Sequence, residues 1–388
     1  MWIKRLISGR LLLLLVMLAL SGVTVFGCTP VGAQPKGWSG GAIADGTLFF
    51  GSMEGQVVAV NTSDGGRPWD PVTLETPTST GLLGCTPVSS LVVFYGTPAV
   101  AGDLIYVGGY NGKVYAINSS SGALRWVYPR EGRLGSIVGG PVVAFGKVYI
   151  GSSDGKVYAL DAITGDWEWE FQTGNKIWST PAIDGETLYI GSFDKKLYAL
   201  NAIDGSEKWE PFETAGAIIS TPVIYNNTIY FGSFDRHMYA VNVADGSLRW
   251  KFPGGNWFWA KAVALNNTVY APCLDGKVYA LNAESGSKVT EFDLGSSIPS
   301  SPVLVGSSII VATEGGGVFS IDTGINQKRQ LVNVRELADE DLTISSPLVT
   351  SEGIVYIHAQ TKKHGSLLYA LNAQTGLDLW HYSPQSSK

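Results

Sequence analysis

The side chains able to do chemistry in this 388-residue sequence are few, and most recur at fixed intervals. Asp154, Asp194, Asp235 and Asp275 follow one another at 40- or 41-residue spacing. Converging carboxylates can hold a hard cation such as calcium. Each of these, however, opens a turn, as in Asp154-Gly155 and Asp275-Gly276, where an Asp by default serves its own backbone. The cysteines are Cys28, Cys85 and Cys273. None adjoins another and no Cys/His spacing suggests zinc. A Cys85–Cys273 disulfide is not the favoured reading, because the two lie in distant segments.

A third set is aromatic and cationic. Trp38, Tyr95, Trp178 and Trp259 each stand three residues before a recurring Pro or its equivalent, where Val138, Ile219, Pro299 and Ile344 stand elsewhere. Trp257 and Phe258 adjoin Trp259. Lys261 replaces the Ser or Thr that precedes the Pro in most copies (Thr97, Thr180, Thr221, Ser301, Ser346), and Lys176, two residues before Trp178, is the other cation expected near that opening. Aromatics gathered at one opening anchor a peptide segment, a sugar or a planar cofactor. Two lysines there could meet an acidic ligand. Trp38, Tyr95, Trp178, Trp257, Trp259, Lys176 and Lys261 are therefore the candidate binding funnel. The competing reading packs the aromatics into internal seams and leaves the lysines solvated.

The elements that position these residues come from an internal repeat. DGKVYALDAITGDWEW (Asp154 to Trp169), DKKLYALNAIDGSEKW (Asp194 to Trp209) and DRHMYAVNVADGSLRW (Asp235 to Trp250) are copies of one pattern. NGKVYAINSSSGALRW ends at Trp126 and GSLLYALNAQTGLDLW at Trp380. Further copies start at Glu54, Asp275 and Glu314, and Phe292 lies near the Trp position of the Asp275 copy. A block of Pro, apolar residues, a turn and an apolar-aromatic strand precedes each, as in PAIDGETLYIGS from Pro181. Eight units of four short strands result. Their nearly continuous apolar runs suit sheets covered on both faces.

The Tyr-Ala-Leu-Asn-Ala…Gly…Trp pattern resembles the pyrroloquinoline-quinone (PQQ) type repeat over residues 37–382. The resemblance implies an all-β, eight-bladed β-propeller of four-stranded antiparallel blades. It also implies that Trp69, Trp126, Trp169, Trp209, Trp250 and Trp380 dock between neighbouring blades. An inserted loop spans 66–93 between units one and two, and smaller departures lie at 335–341 and 361–365. A tail, 383–388, follows the propeller.

The N-terminus reads as an export signal. Lys4, Arg5 and Arg10 precede an apolar run from Leu11 to Leu20, too short for a membrane span of about 20 residues. Val25-Phe26-Gly27-Cys28 resembles the lipobox of bacterial lipoproteins. This predicts a signal peptide over 1–27, lipidation of Cys28 and a tether over 28–36, placing the protein outside the cytoplasm on a membrane. The alternative is cleavage after Ala33 and release. Net charge is −6 and becomes −9 when the three N-terminal cations are removed. With no basic run, nucleic-acid binding is not expected.

The PQQ-type repeat serves quinoprotein alcohol dehydrogenases, BamB-type lipoproteins that assist outer-membrane protein assembly, and sensor domains. The dehydrogenases carry an adjacent Cys-Cys pair and long insertions that build the active site, whereas no two cysteines adjoin here and the repeats are short and nearly bare. No catalytic residue, metal or cofactor is therefore expected, with PQQ and calcium kept as the enzymatic alternative. The preferred reading is a monomeric, non-catalytic BamB-like scaffold engaging envelope proteins or peptide segments. A ligand- or carbohydrate-sensing propeller is the other alternative.

Overall fold

The computed structural model describes residues 39–52, 54–74, 92–361 and 365–383. The expected signal peptide, Cys28, the tether, Trp38, Cys85 with most of the 66–93 loop, residues 362–364 and the tail from 384 lie outside the described residues. Among the described residues, no helix is long and apolar enough to cross a membrane.

Eight antiparallel sheets follow one another along the chain, and the first seven are meanders whose strands pair in sequence order. The third blade shows why. Its strands Val142–Ala144, Lys147–Gly151, Lys156–Asp161 and Trp167–Gln172 run from the innermost to the outermost. The middle pair is in register, Val148 opposite Leu160 and Tyr149 opposite Ala159. Alternation along a strand sends successive side chains to opposite faces. Val148, Ile150, Tyr158 and Leu160 therefore enter the seam with blade two. Tyr149, Val157 and Ala159 enter the seam with blade four. Both faces are buried, which is why the strands read as unbroken apolar runs.

The same division fills every seam, and the ring closes on itself. Leu48, Phe50, Val58 and Val60 of blade one pack against Tyr356, Leu368 and Ala370 of blade eight. This is the eight-bladed all-β propeller that the repeat implied.

The outer-strand tryptophans span the seams. Trp169 Nε1 donates to the Ala202 carbonyl of the next blade (3.2 Å), which also accepts from Tyr149 Oη (2.8 Å). Trp126 with Tyr106 and Trp250 with Tyr230 repeat this double donation to Ala162 and Ala283. Trp380 and Tyr356 both reach Thr62 and so tie the last blade to the first. Trp69 and Trp209 bond Ser119 and Val243. In blade six the residue opposite the repeat Ala is Thr290, not Phe292, which lies opposite Val278 and packs in the next seam.

Prolines shorten two outer strands. In blades one and four the pairing shrinks to Val72–Thr73 and Phe212–Glu213, directly after Pro71 and Pro211. Pro supplies no N–H to the ladder, so the strand can start only beyond it. Blade eight departs most. Its strand Ile354–Thr361 pairs along its whole length with Gly365–Asn372, and with Val349–Ser351 and Leu342–Thr343 on its other edge. Before it the acidic segment forms a short helix, Val334–Ala338, capped where Asn333 accepts from the Arg335 N–H.

Candidate functional site at the channel mouth

Each chain crossing from an outer strand to the next inner strand carries the residues that precede the recurring Pro. The repeat Asp clips this crossing in place. Asp194 Oδ2 accepts from the Gly174 N–H (2.7 Å) and from Tyr198 Oη (2.7 Å), while Oδ1 accepts from the Lys196 N–H. Asp154, Asp235 and Asp275 hold Gly135, Ala215 and Gly255 in the same way. The loops so held bear Val138, Trp178, Ile219 and Trp259. These carboxylates position the mouth and are occupied in doing so. Burial pulls the Asp235 carboxyl upward, but the Tyr239 hydroxyl and two backbone N–H groups outweigh it and hold it below its usual range. Among the described residues, no group of three His, Cys, Asp or Glu is placed to hold a metal ion.

Adjacent blades approach most closely where glycine permits it. A Cβ on Gly96 would lie 2.5 Å from the Gly139 carbonyl oxygen, and one on Gly139 2.5 Å from that of Ser179. Hydrogen bonds then run around the axis. Gly140 N–H donates to Thr180 Oγ1 (2.8 Å), Ser179 Oγ to the Ser220 carbonyl (3.2 Å) and Lys261 N–H to Ser301 Oγ (3.1 Å).

Inside this ring Tyr95, Val138, Trp178, Ile219, Trp259 and Pro299 line one opening of about 80 Å³. Below it, past Thr97, Thr180, Thr221, Lys261 and Ser301, the lumen widens to a cavity of about 510 Å³ walled by inner-strand residues such as Val223, Val263 and Val303. Of the two other positions of the series, Trp38 lies outside the described residues and Ile344 is buried in the seam between blades seven and eight.

The aromatics divide by alternation. Trp257 is exposed, Phe258 is 1% exposed and packs against Tyr279, and Trp259 lines the opening. Phe258, expected beside the funnel, is thus a core residue. Its ring occupies the space left by Gly232 and Gly254. Trp257 does not line the opening; it stacks on Phe234 at 4.3 Å, and Phe234 stacks on Trp259 at 5.8 Å. Phe193 stands edge-on to Trp178 at 4.8 Å and to Phe234 at 6.0 Å. One aromatic ridge therefore runs from Trp178 through Phe193 and Phe234 to Trp257 and Trp259. Tyr95, largely buried, meets Tyr110 edge-on on the far side.

The two lysines occupy different places. Lys176 Nζ sits 4.4 Å above the Trp178 ring and 4.3 Å above Phe193, a cation–π contact on the ridge and outside the opening. Lys261 lines both cavities. Water reaches it through the lumen, yet protein surrounds it, and burial pushes its ammonium below the ordinary lysine value.

Phe193 and Phe234 were not singled out from the sequence. Their signal was the residue after Gly-Ser, which is Phe in GSFD at both places and Ser in GSSD at residue 153. Cys273 takes the adjacent Ser position of that block. Its Sγ reaches the Asn256 carbonyl as Ser192 Oγ reaches that of Asn175. Burial pushes the thiol up to about 12.

The family model for the outer membrane protein assembly factor BamB matches residues 54–256 and 253–388. Among solved structures, BamB from Moraxella catarrhalis superposes with a TM-score of 0.63 at 21% identity, over 84% of this chain and 92% of that one. The computationally designed Ika8 protein superposes with a TM-score of 0.68 at 14% identity, over 88% and 98%. At such identities these structures speak for the fold. No curated protein sequence matches.

Proposed function

The chain belongs to the family of the outer membrane protein assembly factor BamB, and from that premise we propose that it is a non-catalytic binding scaffold of the cell envelope. In this reading Cys28 carries the lipid that holds the propeller at a membrane, and the mouth ridge engages polypeptide segments of envelope proteins. The observation that carries the second half is the ridge itself. Five aromatic rings from two crossings and from turns of blades four and five form one connected surface, with Trp257 39% exposed at its end. Aromatic side chains supply large contact area at low entropic cost, and Trp is over-represented among residues that dominate binding energy. Rigidity supports the same use. The loops beneath the ridge are clipped by half-buried Asp–Tyr pairs, so little ordering is needed on binding.

The test is site-specific photocrosslinking from positions 193 and 257 in intact cells. The expected product is an adduct with a membrane β-barrel protein or with its assembly machinery, lost in a Trp178→Ala/Trp259→Ala double variant that still folds. Undiminished crosslinking in that variant removes the ridge from the reading. PQQ-dependent, calcium-dependent dye-linked alcohol oxidation by the purified protein would overturn the non-catalytic half. For the anchor, the prediction is a mass of lipid on Cys28 and loss of membrane association in Cys28→Ser.

A further inference from the structure

The lumen below the ridge holds a charge that no described wall residue answers. Among the described residues, Lys261 is the only charged side chain in the walls of the two cavities, and neither described wall contains Asp or Glu. Lys261 is open to water in the lumen yet partly desolvated by the surrounding wall, and a partly desolvated ammonium gains from an anionic partner. Five other blades place an uncharged Ser or Thr at this ring position, so the fold does not need the lysine.

The groups around it are donors as well. Ser301 Oγ accepts from the Lys261 N–H and Thr180 Oγ1 accepts from the Gly140 N–H. Each hydroxyl so used as an acceptor still has its own proton to give. The ring thus offers an ammonium and hydroxyl protons toward one lumen with no carboxylate to receive them. Above lie Trp178, Trp259 and Ile219, and below lie Val223, Val263 and Leu304. The polar zone is a narrow belt between two apolar ones.

We propose that this belt is a binding site for a small organic carboxylate, its head on Lys261 with the Ser301 and Thr180 hydroxyls and its apolar body against the lumen wall. One lysine balances one negative charge, so the belt suits a monoanion better than a phosphate dianion. A phosphate would leave charge unpaired between apolar collars. A cavity of about 510 Å³ has room for such a molecule, falling within the size of small-ligand sites. The site is separate from the polypeptide-binding reading of the ridge, and its test needs no protein partner.

The experiment is a titration of the full chain with sodium benzoate, read by tryptophan fluorescence and by the thermal midpoint. Sodium phosphate and the neutral isostere benzyl alcohol are run in parallel. The expected result is saturable binding of benzoate only. Lys261→Met should weaken it at least about tenfold, equal to 1.4 kcal/mol. Lys261→Arg should retain it. Lys261→Gln replaces the Met variant if that protein fails to fold. The proposal is overturned by no saturable benzoate response, by an equal response to benzyl alcohol, by preference for phosphate, or by binding that survives loss of the charge.

Discussion

Gly205 and Trp169 provide the sharpest test of how the blades hold together. Gly205 sits at φ +76° in blade four, and a Cβ built on it would lie 2.6 Å from Trp169 Cε3 of blade three. Gly185, in another turn of blade four, has φ +53° and nothing within 4 Å of such a Cβ. Gly185→Ala therefore meets only the backbone penalty, about 1–2 kcal/mol. Gly205→Ala meets that penalty plus an overlap about 1 Å inside normal carbon contact. Overpacking of this kind costs about 1–3 kcal/mol, so the total is about 2–5 kcal/mol. Trp169→Ala should cost about 3–5 kcal/mol. Tyr149 Oη still donates to the Ala202 carbonyl, so that oxygen is not orphaned. In the double variant the overlap disappears, and the costs should fall short of additive by about 1–3 kcal/mol. Urea unfolding followed by near-ultraviolet circular dichroism measures all four proteins. Equal costs for Gly205→Ala and Gly185→Ala, or an additive cycle, would refute the claim that the Trp ring decides the seam.

Three further outcomes are expected. His358 is buried at the closing seam, with Nδ1 2.9 Å from the Ser39 carbonyl and therefore the protonated nitrogen, and Nε2 without a partner among the described residues. Burial lowers its pKa despite the Ser39 carbonyl and the Glu54 charge. The folded state then resists a proton that the unfolded state takes up, so stability is complete above the unfolded value of about 6.5. It falls by up to about 1.4 kcal/mol per unit as pH drops below that, and His358→Phe should flatten this acid limb in denaturation at pH 7 and pH 5. Cys273 should resist thiol reagents in the native protein and react fully in denaturant, because burial disfavours its thiolate; rapid native labelling would contradict its placement. Asp235→Ala removes the acceptor of the buried Tyr239 hydroxyl and of the Ala215 N–H. It should cost about 2–4 kcal/mol and loosen the loop bearing Ile219, read as faster hydrogen exchange over 215–220.

Much of this protein could be read from its residues in order. The recurring Tyr-Ala-Leu-Asn-Ala, Gly and Trp determined the blade, the number of blades and the partners of the seam. Each of those choices is local: alternation within a strand, a glycine at positive φ, a turn Asp. The turn Asp was also read correctly as structural, and the fold adds that its second oxygen reaches across to the crossing loop.

Only the closed ring decided which aromatics share a surface. Trp257, Phe258 and Trp259 are neighbours in sequence and go to three places, because the loop clipped by Asp275 turns successive side chains outward, inward and to the lumen. Phe193 and Phe234 joined the ridge from separate blades, brought there by the Phe193 N–H bond to the Lys176 carbonyl and the Phe234 N–H bond to Ala217. Lys176 and Lys261 look alike in sequence, one two residues before a Trp and the other two residues after one. The ring places one over aromatic faces and the other in the lumen, with no carboxylate among the described residues that line it. Whether a charge has a counter-ion depends on every blade that faces the axis, and no single repeat contains that information.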